Sequence, residues 1–168
     1  TNRNVLVESA RIARGNVKSL DTLDMNDFDA LLFPGGFGAA KNLSDWAVNG
    51  SKAVVIEPVR DAILAAFQQK KPIGACCIAP VLLAVTLRNE NVHLTVGSGD
   101  TSDTKWPYAG TVSQLKELGV NHTTTKIDGV VTDELNKLVT SPAYMYEGAP
   151  HEIHNSVGLM VDETLKLA

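Results

Sequence analysis

The sequence predicts an α/β fold: a doubly wound, mainly parallel β-sheet with helices on both faces. Three observations lead there. Short apolar runs alternate with segments of helical periodicity, as strand–helix–strand units require. Two of those runs stop abruptly in loops, at Pro34-Gly35-Gly36 and at Cys77-Ile78-Ala79-Pro80. The 168 residues contain no repeat, low-complexity tract or linker, so they form one domain, large enough to bury roughly two thirds of the unfolded surface.

Along the chain, residues 4–14 place Val5, Leu6, Ala10 and Ala13 at helical spacing and end at Gly15. Phe28–Phe33 is an apolar run broken by Pro34-Gly35-Gly36, the signature of a buried strand entering a tight loop. Residues 58–70 form an amphipathic helix with Val59, Ile63, Leu64 and Phe67 inward. A strand over residues 72–76 leads into a helix over Ile78–Leu87, with Pro80 tolerated in its first turn. His93–Val96 is a strand, residues 98–110 a long polar loop, and residues 111–118 a short helix closed by Gly119. Thr123–Thr132 and Leu138–Ser141 are strands, with a kink at Asp128-Gly129. Residues 150–167 close the chain as a helix.

Composition narrows the function classes. A net charge of −4 argues against a nucleic-acid partner, which needs a basic stripe. No apolar run approaches the roughly 20 residues of a membrane helix. The two cysteines are adjacent, and a bridge between neighbours would be strained, so free thiols in a reducing compartment are expected. The four histidines lack metal-ligand spacing, and His151 with His154 reads as a surface pair. Glu8, Arg11 and Arg14 share a helical face and read first as a salt-bridged surface.

The loops after two strands lie where doubly wound sheets bind ligands, and one of them carries Cys77. A nucleophile at a strand–turn–helix elbow needs small residues two before and two after it, so that strand and helix can approach. Ala75 and Ala79 meet this for Cys77. For Cys76 the second position is the β-branched Ile78, so Cys76 is a strand-end core filler and Cys77 the elbow thiol. The following helix terminus would favour the thiolate. The backbone N–H groups of Ile78 and Gly36 could form a hole for an oxyanion, and Gly35 would let a substrate approach the backbone. Asn42, Arg14 and Asp100 are further candidates for the substrate pocket, Asp100 with Asp103 through polarisation of a water. Trp106-Pro107-Tyr108 reads as a lid or subunit contact. The Pro34–Gly38 loop lacks the Lys-Ser/Thr pair of a phosphate loop.

The runs Phe33-Pro34-Gly35-Gly36-Phe37-Gly38-Ala39-Ala40-Lys41-Asn42-Leu43 and Gly74-Ala75-Cys76-Cys77-Ile78-Ala79-Pro80 resemble the class I glutamine amidotransferase-like superfamily. Within it they resemble the ElbB-type, glyoxalase-like branch. The helix from Glu8 to Gly15 and the segment Thr140-Ser141-Pro142-Ala143-Tyr144-Met145 fit the same pattern. Lys105-Trp106-Pro107-Tyr108-Ala109-Gly110 resembles the animal mitochondrial members.

This resemblance implies a flavodoxin-like sheet with a cysteine elbow, a mitochondrial location, and an N-terminal strand–helix–strand preceding residue 1. In relatives that segment supplies a glutamate beside the thiol. Parkinsonism-associated deglycases also place a histidine near the cysteine, whereas residues 94–100 here hold none. The implied function is cofactor-independent conversion of a small carbonyl substrate, glyoxal or methylglyoxal, to a hydroxy acid by Cys77. The alternative is a non-catalytic or redox-sensing protein built on the same elbow. Glutamine amidohydrolysis ranks last, because it needs late His-Glu geometry that His151-Glu152 does not establish. No metal is expected, and a homodimer is compatible with the reading.

Overall fold

The computed structural model describes residues 3–168. Its centre is a four-stranded sheet of β1 (Leu31–Phe33), β2 (Ile73–Cys76), β6 (Leu138–Ser141) and β5 (Val131–Asp133), in that spatial order. β1, β2 and β6 run parallel, and β5 is antiparallel to β6. A separate parallel pair joins β3 (His93–Leu94) to β4 (Asn121–His122).

The pleat of β2 explains how the sheet divides the core. Side chains alternate across a strand, so Ile73 and Ala75 enter one cluster while Cys76 enters another. The first cluster packs against α4 (Glu57–Gln68) and α5 (Pro80–Thr86), through Val59, Ile63, Leu82 and Leu83. The second packs against α7 (Pro150–Lys166), through Ile153 and Met160. Gly74 faces α7, where an added Cβ would lie 2.5 Å from Met160 Sδ and 2.6 Å from Thr164 Oγ1. Helices therefore cover both faces, and β2, the strand that leads to Cys77, is fully buried.

The remaining helices are α1 (Val5–Ile12), α2 (Phe37–Lys41), α3 (Trp46–Asn49) and α6 (Thr111–Glu117). Asn4 caps α1, accepting from the Val7 N–H at 3.1 Å. Pro80 occupies the first turn of α5 and Pro150 that of α7, where the missing N–H costs nothing.

Several elements differ from the sequence expectation. Strand β1 begins at Leu31 rather than Phe28, because Met25–Asp27 forms a 3-10 turn. Lys71 Nζ ties this segment down by donating to the carbonyls of Met25 and Phe28. Strand β3 stops at Leu94 rather than Val96. Side chains take the next two N–H groups: Thr95 N donates to Thr140 Oγ1 at 2.8 Å, and Val96 N to His122 Nε2 at 3.3 Å. The long strand expected over 123–132 is mostly loop. Thr125 bonds sideways to Thr95, Oγ1 to Oγ1 at 3.0 Å, and a turn closes at Gly129. In α4, Ala62 and Ala66 are buried beside Val59 and Ile63, while Leu64 and Phe67 are half-buried. The apolar spacing of α1 (Val5–Ile12) forms the expected helix, but none of its residues is buried.

Candidate functional site

The carboxyl ends of β1, β2 and β6 converge on one point, and Cys77 sits there as the residue after β2. Its φ is +60°, a left-handed conformation that costs a non-glycine residue about 1–2 kcal/mol. Three neighbours hold it. Cys77 N donates to the Ser141 carbonyl at 3.1 Å, and Ala79 N closes the turn onto the Cys76 carbonyl at 3.1 Å. Gly35, at φ +88°, lies so close that a Cβ there would stand 2.8 Å from both Cys76 O and Cys77 Cβ. Ala75 and Ala79, the small residues two before and two after, are fully buried.

The two thiols have opposite environments. Cys76 is buried, its Sγ donates to the Pro34 carbonyl at 3.2 Å, and burial, reinforced by the neighbouring Cys77, pushes its pKa up to about 12. Cys77 is half-buried and opens into a cleft of about 320 Å³. Gly36 and Ile78 line the same cleft, and neither backbone N–H has a hydrogen-bond partner among the described residues. Gly36, at φ +83°, precedes α2 and has no atom within 4 Å of where a Cβ would sit.

The rest of the cleft is apolar. Pro34 and Phe37 come from the loop after β1 and the start of α2, Ala143–Met145 from the turn after β6, and Ile153 and Val157 from α7. Phe37, Tyr108 and Tyr144 are exposed at 64%, 45% and 58% and form its rim. Phe37 and Tyr108 meet edge to face, with ring centroids 6.3 Å apart. Among the described lining residues the titratable side chains are Cys77, Tyr108 and Tyr144, with no carboxylate or imidazole.

Three sequence candidates lie elsewhere. Asn42 is an exposed C-cap of α2. Arg14 follows α1 at φ +56°, outside the cleft, because α1 is not packed on the cleft wall. Asp100 lines a different depression with Gly99, Thr101 and Lys116. Its carboxylate accepts from Ser102 N at 2.9 Å and Ser102 Oγ at 2.6 Å, which holds its pKa below the usual value. Asp103 likewise closes its own loop by accepting from Lys105 N at 2.9 Å. Arg11 pairs with Glu8 at 3.3 Å without Arg14.

The aromatic triplet splits. Trp106 is buried against Gly97, whose Cβ would fall 2.0 Å from its ring, while Tyr108 reaches the cleft rim. His122 has its pKa moved by its surroundings. Burial, with a contribution from Lys116, lowers it to about 4, and its Nε2 accepts from Val96 N, so it serves the fold as a neutral acceptor. His151 and His154 are exposed on α7. Sequence reasoning missed Ile153, Val157 and Met145 as lining residues. Their placement depends on β6 lying next to β2, which no local pattern announces.

A doubly wound sheet, a left-handed cysteine after a buried central strand, and paired free N–H groups across a glycine loop define a cysteine-elbow α/β domain. No protein-family profile matches the chain, but individual relatives do. It is 49% identical over 165 residues to the human "Glutamine amidotransferase-like class 1 domain-containing protein 3, mitochondrial", covering 98% of this chain and 61% of that protein. It is 47% identical over 165 residues to the rat "ES1 protein homolog, mitochondrial", with the same coverage. A crystal structure of an isoprenoid biosynthesis protein with amidotransferase-like domain, from Ehrlichia chaffeensis, superposes with a TM-score of 0.84 at 28% identity. That superposition covers 98% of this chain and 71% of the other. The chain belongs to the glutamine amidotransferase-like superfamily and has its flavodoxin-like fold. Both mammalian relatives are named as mitochondrial, which places this chain with mitochondrial proteins. The chain spans about 61% of the length of those two relatives.

Proposed function

We propose that this domain performs glyoxalase-like chemistry, in which Cys77 captures a small 2-oxoaldehyde and converts it to the 2-hydroxy acid without a cofactor. The observation that carries the reading is the strained, half-buried Cys77 opening into a cleft with two unpartnered N–H groups. Strained backbone of this kind persists at sites where the strain serves placement of the group.

The chemistry balances without an external oxidant. Cys77 thiolate adds to the aldehyde carbon, forming a C–S bond while the carbonyl π pair moves to oxygen. The Gly36 and Ile78 N–H groups are the donors assigned to that oxyanion, which then takes a proton. The hydrogen on the former aldehyde carbon passes as a proton to the neighbouring carbonyl through an enediol. The first carbon is thereby oxidised to a thioester and the second reduced to a carbinol. Water cleaves the thioester, releasing the hydroxy acid and the thiol. The enediol step needs a base, and the described cleft lining offers no carboxylate or imidazole for it. The reading takes that base from outside this lining.

The same lack of a base favours a second reading, a redox sensor whose Cys77 is oxidised to sulfinate. One experiment separates them. The full natural polypeptide should convert methylglyoxal to lactate, Cys77→Ser should abolish this, and Cys76→Ser should retain it. Absence of turnover in the full polypeptide would sink the enzyme reading. Stoichiometric sulfinate at Cys77 under dilute peroxide would then support the sensor.

A further inference from the structure

We infer that the cleft selects 2-oxoaldehydes bearing an apolar substituent of about four to six carbons, in preference to glyoxal or methylglyoxal. The inference rests on the carbonyl chemistry proposed above and names its substrate class.

The cleft has two chemically distinct ends. At one, Cys77 lies with the Gly36 and Ile78 N–H groups, enough polar atoms for one reacting carbonyl. The rest is walled mainly by carbon: Met145 and Ile153 are buried, Val157 is half-buried, and Phe37, Tyr108 and Tyr144 stand at the rim. A volume of about 320 Å³ lies at the lower end of the range of roughly 300–1,000 Å³ for clefts that enclose drug-sized ligands. Glyoxal, with its few non-hydrogen atoms, would occupy only the polar end. The apolar remainder would stay empty or hold water without partners, which such a surface does not retain. A hydrophobic substituent on the second carbonyl carbon would fill it and remove that surface from water. No charged side chain lines the cleft among the described residues, so none of them would pair with a carboxylate or phosphate on the substituent. The Phe37–Tyr108 edge-to-face pair offers ring surface at the mouth against which a planar or chain substituent can rest.

The test compares kcat/KM for methylglyoxal, 2-oxohexanal and phenylglyoxal with the full natural polypeptide. A pocket distinguishes added methylenes by about tenfold or more, so both larger substrates should exceed methylglyoxal by at least about tenfold. Val157→Phe narrows the apolar end and should collapse that ratio towards one. Phe37→Ala, at an exposed position that cannot unfold the core, should lower the ratio severalfold. Turnover of all three substrates with a flat or falling order would overturn this inference and leave the carbonyl chemistry standing. Turnover of none would overturn the chemistry itself, and the inference with it.

Discussion

Replacing Gly35 by alanine tests whether the elbow is built on backbone contact. The new Cβ would stand 2.8 Å from the Cys76 carbonyl oxygen and 2.8 Å from Cys77 Cβ, distances at which one of the partners has to move. Both lie at the end of β2, a fully buried strand with a hydrogen-bonded neighbour on either side. Overpacking of this kind costs about 1–3 kcal/mol. The φ of +88° adds about 1–2 kcal/mol for any L side chain, so the total is about 2–5 kcal/mol. For a domain of this size that lowers Tm by about 4–20 °C. Gly36→Ala is the matched control. Its φ of +83° carries similar strain, but nothing lies within 4 Å of its Cβ, so its loss should be about 2–8 °C. Differential scanning calorimetry of both variants isolates the steric contribution as the difference between them. If the two melt within about 2 °C of each other, the close approach of the glycine loop to the elbow is not what holds it.

Two further outcomes follow from the same structure. His122 titrates at about 4 when folded, against an ordinary 6.5, so between those values the unfolded chain binds more protons and stability falls as pH drops. The loss approaches about 2–3 kcal/mol near pH 4, and urea midpoints from pH 7 to 4 should slope less steeply in His122→Gln. Cys77→Gly should be at least as stable as Cys77→Ala, by about 0–1.5 kcal/mol. Relief of the left-handed strain, about 1–2 kcal/mol, outweighs the usual glycine penalty of about 0.5–1 kcal/mol. A clearly lower Tm for the glycine variant would refute a strained elbow.

The parts of the fold legible in the sequence are those fixed by neighbours along the chain. α4, β2 and α7 show apolar periodicity or a continuous apolar run, and their bounds fall within a few residues of those expected. The placement of Cys77, and not Cys76, at the turn after β2 was legible for the same reason, since Ala75 and Ala79 are near neighbours in sequence. What was not legible depends on side chains far apart in sequence. Thr140 and His122 take the backbone N–H groups of Thr95 and Val96 into side-chain bonds, and Thr95 and Thr125 bond through their hydroxyls, which shortens strands that β-branched composition alone would extend. Asn42, Arg14 and Asp100 lie off the Cys77 cleft, because proximity in sequence does not say which way a segment faces. The cleft's third wall, from β6 and α7, comes from sheet order, and sheet order is a long-range property.

The two cysteines show how backbone geometry can separate identical side chains one position apart. The pleat turns Cys76 into the cluster beneath α7, and its thiol is locked there against the Pro34 carbonyl. Had β2 continued for one more regular residue, Cys77 would have pointed to the opposite face and been equally enclosed. The left-handed φ at Cys77 ends the strand instead and turns the side chain out at the sheet's carboxyl edge. Such a conformation survives only where its surroundings over-determine it. Here the Ser141 carbonyl, the turn bond from Ala79 and the bare face of Gly35 do so from three directions. Each of those contacts comes from a different strand end: β6, β2 and β1. The parallel register of the three strands therefore sets the exposure of the thiol. It also places the Gly36 and Ile78 N–H groups on the same cleft, because the loops that carry them leave adjacent strands at the same level. In this domain the exposure of Cys77 is a consequence of sheet alignment, and a substitution that shifts β1 against β2 would disturb the thiol and the two N–H groups together.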